Sequence, residues 1–244
     1  MAAFREAVIV FAKFPRPGEV KTRLAASVGN VQAAAFYKHC AEAIIGELAS
    51  LDSTTLYVFF SRGDDEAEVA AWLAPLKLAN MRLAPQLQEP NLGARMQHAL
   101  QYALNCGHQR VAIVGTDVPD LTSTVVASAL HCLDTYQAVF GPAEDGGYYL
   151  LALTTLPSGL FQGISWSTSS VLAANVANAQ QLGLSVAPLS TLEALLDIDT
   201  LPDLQRWCTL KQQQQSEQPL QARESRLLDA ALCASACATI PAAQ

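Results

Sequence analysis

Val111-Ala-Ile-Val-Gly-Thr-Asp-Val-Pro-Asp-Leu121 is the stretch whose reading decides the fold. An apolar, mostly β-branched run ends in Gly115, Thr116 and Asp117, the pattern of a short strand buried on both faces in a parallel-type sheet. Pro119 cannot continue a central strand, because it lacks the N–H and its φ is fixed; by composition a helix follows over 121–133. In open α/β sheets ligands bind beyond the carboxyl ends of the strands. This strand therefore brings Asp117 to the place where a small-molecule site is expected. A lone Asp after a strand is usually turn or cap chemistry. The other segments of the chain weigh toward a metal ligand on a nucleotide phosphate.

Working outward, Ala7–Ala12 reads as the first strand, and Lys13-Phe-Pro-Arg-Pro-Gly-Glu-Val-Lys-Thr-Arg-Leu24 as the loop that leaves it. Two prolines and Gly18 fix the path of this loop, and Lys13, Arg16, Lys21 and Arg23 make it basic in an acidic chain. A basic, glycine-containing loop after the first strand is where α/β folds place phosphates, through backbone N–H groups and a helix N-terminus. The spacing is neither that of a Walker A loop nor GxGxxG. A solvated linker loop is the plainer reading, and the density of positive charge places the phosphate reading modestly ahead of it.

Val31–Leu51 carries an apolar helical pattern, 54–60 is a second strand, 66–76 a helix, and 81–86 a short strand broken by Pro85. Gly93 and Arg95 open the helix that precedes the central strand, where Gly93 serves either a substrate or a tight turn into the helix with equal weight. Ala138–Phe140 is a short strand leading to Asp145-Gly-Gly147, a strong turn signal that also lets backbone approach a ligand. Tyr148–Leu153 resumes a strand. Trp166, Ser167 and Thr168 lie in a loop before the next helix, and capping is the plain reading of the two hydroxyls. Leu184–Leu189 reads as the last strand. Asp197 and Asp199 are at i and i+2, so in an extended segment both point one way and could serve a single cation; an ordinary turn before a helix near Pro202 is the alternative.

Composition bounds the rest. The chain has 244 residues, is 51% hydrophobic and carries a net charge of −7 from 22 acidic and 15 basic residues. That suits one ordinary α/β domain or two small ones, and argues against an extended nucleic-acid surface. The six cysteines contain no CxxC pair, so buried, reduced thiols are expected rather than zinc or disulfides. Neither a secretory signal nor a membrane span is legible, and a cytoplasmic protein is expected. From Lys211 the character changes: Gln212–Gln215 is a polar run, and 227–240 is an alanine-rich helical stretch read as a peripheral appendage. The apolar composition leaves room for a homodimer.

Together, Phe11–Leu24, Gly115–Leu121, Gly141–Tyr148, Ile164–Thr168 and Asp197–Thr200 resemble the motifs of the DUF2064, glycosyltransferase-A-like family, from about Ala7 to Leu210. More distantly the chain is similar to guanylyltransferases that activate phospholactate or phosphoenolpyruvate, and to molybdenum-cofactor nucleotidyltransferases. The resemblance implies an α/β three-layer sandwich with a Rossmann-like, mixed, mostly parallel sheet. It implies a transferase domain over 1–210, with 211–244 a Gln-rich linker plus a short helix. It also implies a nucleotide at Lys13, Pro17, Gly18, Lys21, Thr22, Arg23, Gly93 and Thr116, and Mg²⁺ or Mn²⁺ on Asp117, Asp197 and Asp199. A small-molecule acceptor would lie at Asp145, Gly146, Gly147, Tyr148, Trp166, Ser167 and Thr168. Prolines and Gly18 replace the G-x-G-T-R-type loop of many sugar-nucleotide pyrophosphorylases, so base and phosphate contacts do not carry over in detail. The leading expectation is nucleotidyl transfer from an NTP to a phosphorylated or phosphonate acceptor, with Lys21 and Arg23 stabilising the leaving group. Glycosyl transfer from a nucleotide-diphospho-sugar, with Asp145 as base, and nucleotide binding without turnover are the alternatives.

Overall fold

The computed structural model describes residues 5–61 and 63–238. β1 (Glu6–Ala12) and β2 (Thr54–Phe60) are apolar runs buried along nearly their whole length, which requires cover on both faces. The cover is built from the helices between the strands, α1 (Thr22–Val28), α2 (Asn30–Leu48), α3 (Glu66–Leu73), α4 (Leu92–Asn105) and α5 (Ser123–Cys132), and from α6 (Val171–Gln181) after the last strand. With β3 (Met81–Pro85), β4 (Arg110–Val114), β5 (Ala138–Pro142) and β6 (Tyr148–Leu153) they make a six-stranded sheet in the order β3-β2-β1-β4-β6-β5. β1 pairs in parallel with β2 and β4, and β2 with β3; β6 runs antiparallel between β4 and β5. The expected three-layer, mixed, mostly parallel sheet is the one observed.

Strand alternation sends successive residues to opposite layers. Val8 and Val10 pack with Ile44, Leu48 and Val126 of α2 and α5, whereas Ala7 and Ile9 pack with Met96, Leu100 and Ala179 of α4 and α6. A third core lies outside α2. There Leu24, Phe36 and Cys40 meet Ile198 and two C-terminal helices, α7 (Leu201–Glu217) and α8 (Ala222–Cys237).

Several expectations are corrected in detail. Leu184–Leu189 makes only an isolated bridge, Val186 to Ala138 on the sheet edge, and Pro188 ends it by lacking a donor. Neither Ser167 nor Thr168 caps α6; Ser170 stands at that position, while Thr168 Oγ1 donates to Ser165 O and Ser167 takes a positive φ of 62°. The boundary expected at Leu210 falls inside α7, whose Gln run is merely its exposed side, and Lys211 is buried. α8 inserts Leu227, Leu228, Ala231 and Ala234 into the third core. The helical reading of 227–240 thus covers a core element, and its last residues, 239 and 240, lie outside the described ones. Of the six cysteines, only Cys40 and Cys208 are fully buried. Among the described residues no helix is long and apolar enough to cross a membrane.

Candidate functional site

Asp117 leaves the carboxyl end of β4, next to β1, as the sheet topology demands. Asp197 and Asp199 arrive from the opposite end of the sequence along a segment tied to the β5–β6 turn. Leu195 N–H donates to Pro142 O and Glu144 N–H to Leu195 O. Ile198, fully buried, donates its N–H to Asp117 O at 3.1 Å and stitches the two acidic segments together. Asp203, in the first turn of α7, accepts from Asp199 N, Thr200 N and Thr200 Oγ1, closing a capping box that fixes the backbone at Asp199.

Lys21 stands at the centre of the three acids. It precedes α1 in the left-handed region, at φ 47°, an orientation that costs a non-glycine residue about 1–2 kcal/mol. Its Nζ lies 2.6 Å from Asp117 Oδ1, 3.1 Å from Asp199 Oδ1 and 3.8 Å from Asp197 Oδ1, and donates to Ile198 O. Its side chain is 3% exposed. Burial alone would lower the Lys21 pKa, but Asp117, Asp197 and Asp199 together raise it, so the ammonium is secure. Burial pushes Asp197 up to about 7, Asp117 adding to the effect and Lys21 opposing it. Among the described residues the Oδ1 of Asp197 is buried without a hydrogen-bond partner.

Lys21, expected at a phosphate, is thus enclosed by carboxylates. The rest of the basic loop is also largely engaged internally. Lys13 Nζ donates to Glu19 O, and Arg16 pairs with Glu19, Asp64 and Glu68. Arg23, by contrast, faces the site, 69% exposed and 3.5 Å from Asp199 Oδ2.

Two cavities meet here. The larger, about 610 Å³, is lined by Asp145, Gly147, Tyr148, Trp166, Ser167 and Thr168 against Phe11, Leu92 and Met96. The smaller, about 400 Å³, is lined by Lys13, Lys21, Thr22, Tyr37, Gln86, Arg95 and Thr116. Phe11, Arg23, Asp117 and Asp199 line both. Tyr37 Oη accepts from Lys13 N and Thr116 Oγ1 and pins β1 to the end of β4. Gln86, buried at the end of β3, donates to Phe59 O and accepts from Arg95, steering that guanidinium along the cavity wall.

Pro17, Gly18, Gly93 and Gly146 line neither cavity. Gly18 takes a positive φ of 86° in the turn of the basic loop. A Cβ on Gly93 would fall 2.7 Å from Phe161 Cβ and 2.9 Å from the Trp166 ring, so this glycine serves helix packing. A Cβ on Gly146 would meet Ser169 O at 2.2 Å, which makes Gly146 the close contact between the β5–β6 turn and the Trp166 loop. Tyr37 carried no sequence signal beyond its place in the apolar pattern of α2, and Gln86 none beyond following β3.

As a metal site the acids fit in donor chemistry: three hard oxygen ligands, one with an orphaned buried oxygen. Their arrangement is closed on Lys21, and among the described residues no group of three or more His, Cys, Asp or Glu side chains stands in metal-holding geometry.

The family model described as an uncharacterised protein conserved in bacteria, DUF2064, matches residues 44–168. A Desulfovibrio desulfuricans G20 protein, provisionally described as a nucleotide-diphospho-sugar transferase, is 32% identical. The match spans 95% of this chain and 98% of that one, with a TM-score of 0.81. A cytidylyltransferase of Leptospira borgpetersenii shares 10% identity over 99% of both chains at a TM-score of 0.57. A 4-diphosphocytidyl-2C-methyl-D-erythritol synthase of Anaerococcus prevotii shares 12% over 85% of this chain and 96% of its own, at 0.53. At such identities these last two share the fold. No curated protein matches the chain.

Proposed function

Since the chain belongs to the DUF2064 family, we propose that it is a metal-dependent, nucleotide-using transferase, moving a nucleotidyl group from an NTP to a small phosphorylated or phosphonate acceptor. The observation that carries this reading is the junction of two cavities at Asp117, Asp199 and Arg23. A reaction between two bound molecules needs two compartments that open onto one point, and this point concentrates charge. The nucleotide lies in the smaller cavity, among Lys13, Thr22, Arg95 and Thr116, and the acceptor in the larger, against Tyr148, Trp166 and Asp145.

Such a transfer depends on positioning and charge neutralisation more than on a protein nucleophile. Asp117, Asp197 and Asp199 are the residues that would hold Mg²⁺ or Mn²⁺, which supplies Lewis-acid neutralisation of phosphate oxygens when bound. Arg23, exposed at the junction, meets the charge on the departing pyrophosphate. An anionic acceptor oxygen attacks the α-phosphorus without needing a general base. The overall balance is one P–O bond formed to the acceptor and one broken to pyrophosphate.

Glycosyl transfer is the second reading, favoured by one observation. Asp145 lines the larger cavity with one carboxylate oxygen accepting from Gly147 N, and its second oxygen is available to take a proton from an acceptor hydroxyl. The name of the Desulfovibrio protein supports the same reading.

A thermal-shift screen of nucleotides and sugar nucleotides, with and without Mg²⁺ or Mn²⁺, tests the proposal, because a ligand bound to the native state raises its melting point. Product analysis then separates the two chemistries: pyrophosphate release supports nucleotidyl transfer, nucleoside diphosphate release supports glycosyl transfer. Asp117→Ala should abolish metal-dependent nucleotide binding, and unchanged calorimetric binding of Mg–NTP by that variant overturns the assignment.

A further inference from the structure

We propose that Lys21 is a resident cation of the acid cluster: it holds Asp117, Asp197 and Asp199 together in the metal-free protein and competes with a divalent cation for them. The inference rests on the metal-dependent reading above and assigns Lys21 as a positioning residue rather than a phosphate ligand. Three features of its placement carry it.

First, the ammonium is enclosed on its acidic side, 2.6 Å from Asp117 and 3.1 Å from Asp199, and its remaining donor is fixed by Ile198 O. Although Lys21 lines the smaller cavity, its ammonium is engaged on these three oxygens, whereas Arg23 projects at the junction, 69% exposed. Second, among the described residues Asp197 Oδ1 is buried with no hydrogen-bond partner, and Lys21 Nζ, at 3.8 Å, is the cation that faces it. A divalent ion that used this oxygen would have to come between it and the ammonium. Third, Asp199 lies 178 residues from Lys21 in sequence and Asp117 comes from a separate segment, and among the described residues Lys21 is the cation paired with both. Without it, three carboxylates crowd together, and among the described residues Arg23, at 3.5 Å from Asp199, is the other cation paired with them.

The consequence is a metal site of deliberately low affinity. A divalent ion placed among these acids is repelled by the ammonium, while one arriving with a nucleotide brings phosphate negative charge that Lys21 can face. Metal and nucleotide then bind with positive coupling, each raising the affinity of the other by the same factor.

The test is the binding of Mn²⁺ alone, followed by titration calorimetry and electron paramagnetic resonance, in the full chain and in Lys21→Met. Removing the competing charge should tighten Mn²⁺ binding by about tenfold or more, and Mn²⁺ should raise the melting temperature of the variant more than that of the parent. If the parent binds Mn²⁺ and Lys21→Met binds it equally or more weakly, the competition is overturned while the metal-dependent reading stands. If neither binds Mn²⁺, with or without nucleotide, the metal reading fails and this inference with it. Should Lys21→Met not fold, side-chain ¹⁵N-lysine resonances of the parent decide. The Lys21 ammonium signal should move on adding Mg²⁺, and a signal that stays fixed while Mg²⁺ binds overturns the proposal.

Discussion

At the scale of single residues, two side chains of the same basic loop have opposite fates. Lys21 is enclosed, and Arg23, two positions on, projects from the first turn of α1 with one loose partner at 3.5 Å. A weakly engaged guanidinium adds little to stability but is ready to make a charge-assisted bond to phosphate. Arg23→Ala should therefore weaken nucleotide binding by about tenfold, in line with roughly 1.5 kcal/mol for a hydrogen bond to a charged group, and leave the urea midpoint nearly unchanged. Calorimetry and equilibrium unfolding read the two effects separately, and a large stability loss with intact affinity would refute the role. Gly93 makes the converse case. Its missing side chain is space already used by Phe161 and Trp166, so Gly93→Ala overpacks the interface. A loss of about 1–3 kcal/mol is expected in urea, with nucleotide affinity within about twofold of the parent, since Gly93 lines neither cavity.

At the scale of elements, helix ends are supported by side chains from elsewhere in the chain. Glu47 of α2 accepts from both Ser123 N and Ser123 Oγ, at 3.1 and 2.7 Å, at the start of α5. Burial would raise the Glu47 pKa, but the two Ser123 bonds outweigh it and hold the carboxyl below its ordinary value. A group depressed in the folded state contributes stability that is complete above its unfolded pKa, about 4.3, and is lost as pH falls through the folded value. Glu47→Gln should accordingly flatten the acid side of the stability curve while lowering stability at pH 7 by about 1 kcal/mol; a parallel, undiminished acid slope in the variant would show the cap to be idle. The same scale explains what the sequence made legible. β4 could be read from its apolar residues and the Gly-Thr that ends it, and the shared direction of Asp197 and Asp199 from their i, i+2 spacing. The enclosure of Lys21 could not be read, because a lysine among arginines and prolines looks solvated until acids as far as 178 residues away close over it. The cap expected at Ser167 or Thr168 falls at Ser170, and the two readings of Gly93 stay equal until Phe161 and Trp166 are in view, for a related reason: local propensity names the turn or cap but not the neighbour that decides its use.

At the scale of the whole molecule, the C-terminal helices are the part whose reading changes most. The signal was in the sequence: Leu204, Trp207, Cys208 and Lys211 follow i, i+3, i+4, i+7, the stripe of a helix that packs, yet Gln212–Gln215 masked it with a polar surface. In the fold that stripe meets α8. Lys211 Nζ bridges Asp120 at 2.7 Å and Glu224 at 3.1 Å, Trp207 Nε1 donates to Asp120, and Arg223 donates to Pro119 O and Leu121 O. Of these partners Pro119, Asp120 and Leu121 sit on the loop that carries Asp117. α7 and α8 thus brace that loop from behind, while their apolar sides cover Leu24 and Phe36 on α1 and α2. A chain ending at Leu220 should leave Trp207, Phe36 and Leu24 partly uncovered and Lys211 without Glu224. Each buried leucine removed costs about 2–5 kcal/mol, and the deletion takes Leu227 and Leu228 together, so the loss rivals the whole stability of an ordinary domain, about 5–15 kcal/mol. The truncated chain should lose its cooperative thermal transition, and Leu228→Ala in the full chain should lower the melting temperature and nucleotide affinity together. If the truncated chain instead melts cooperatively at the parental temperature and binds nucleotide as before, α8 is an ornament on a self-sufficient domain, and the bracing of Asp117 has to come from the sheet alone.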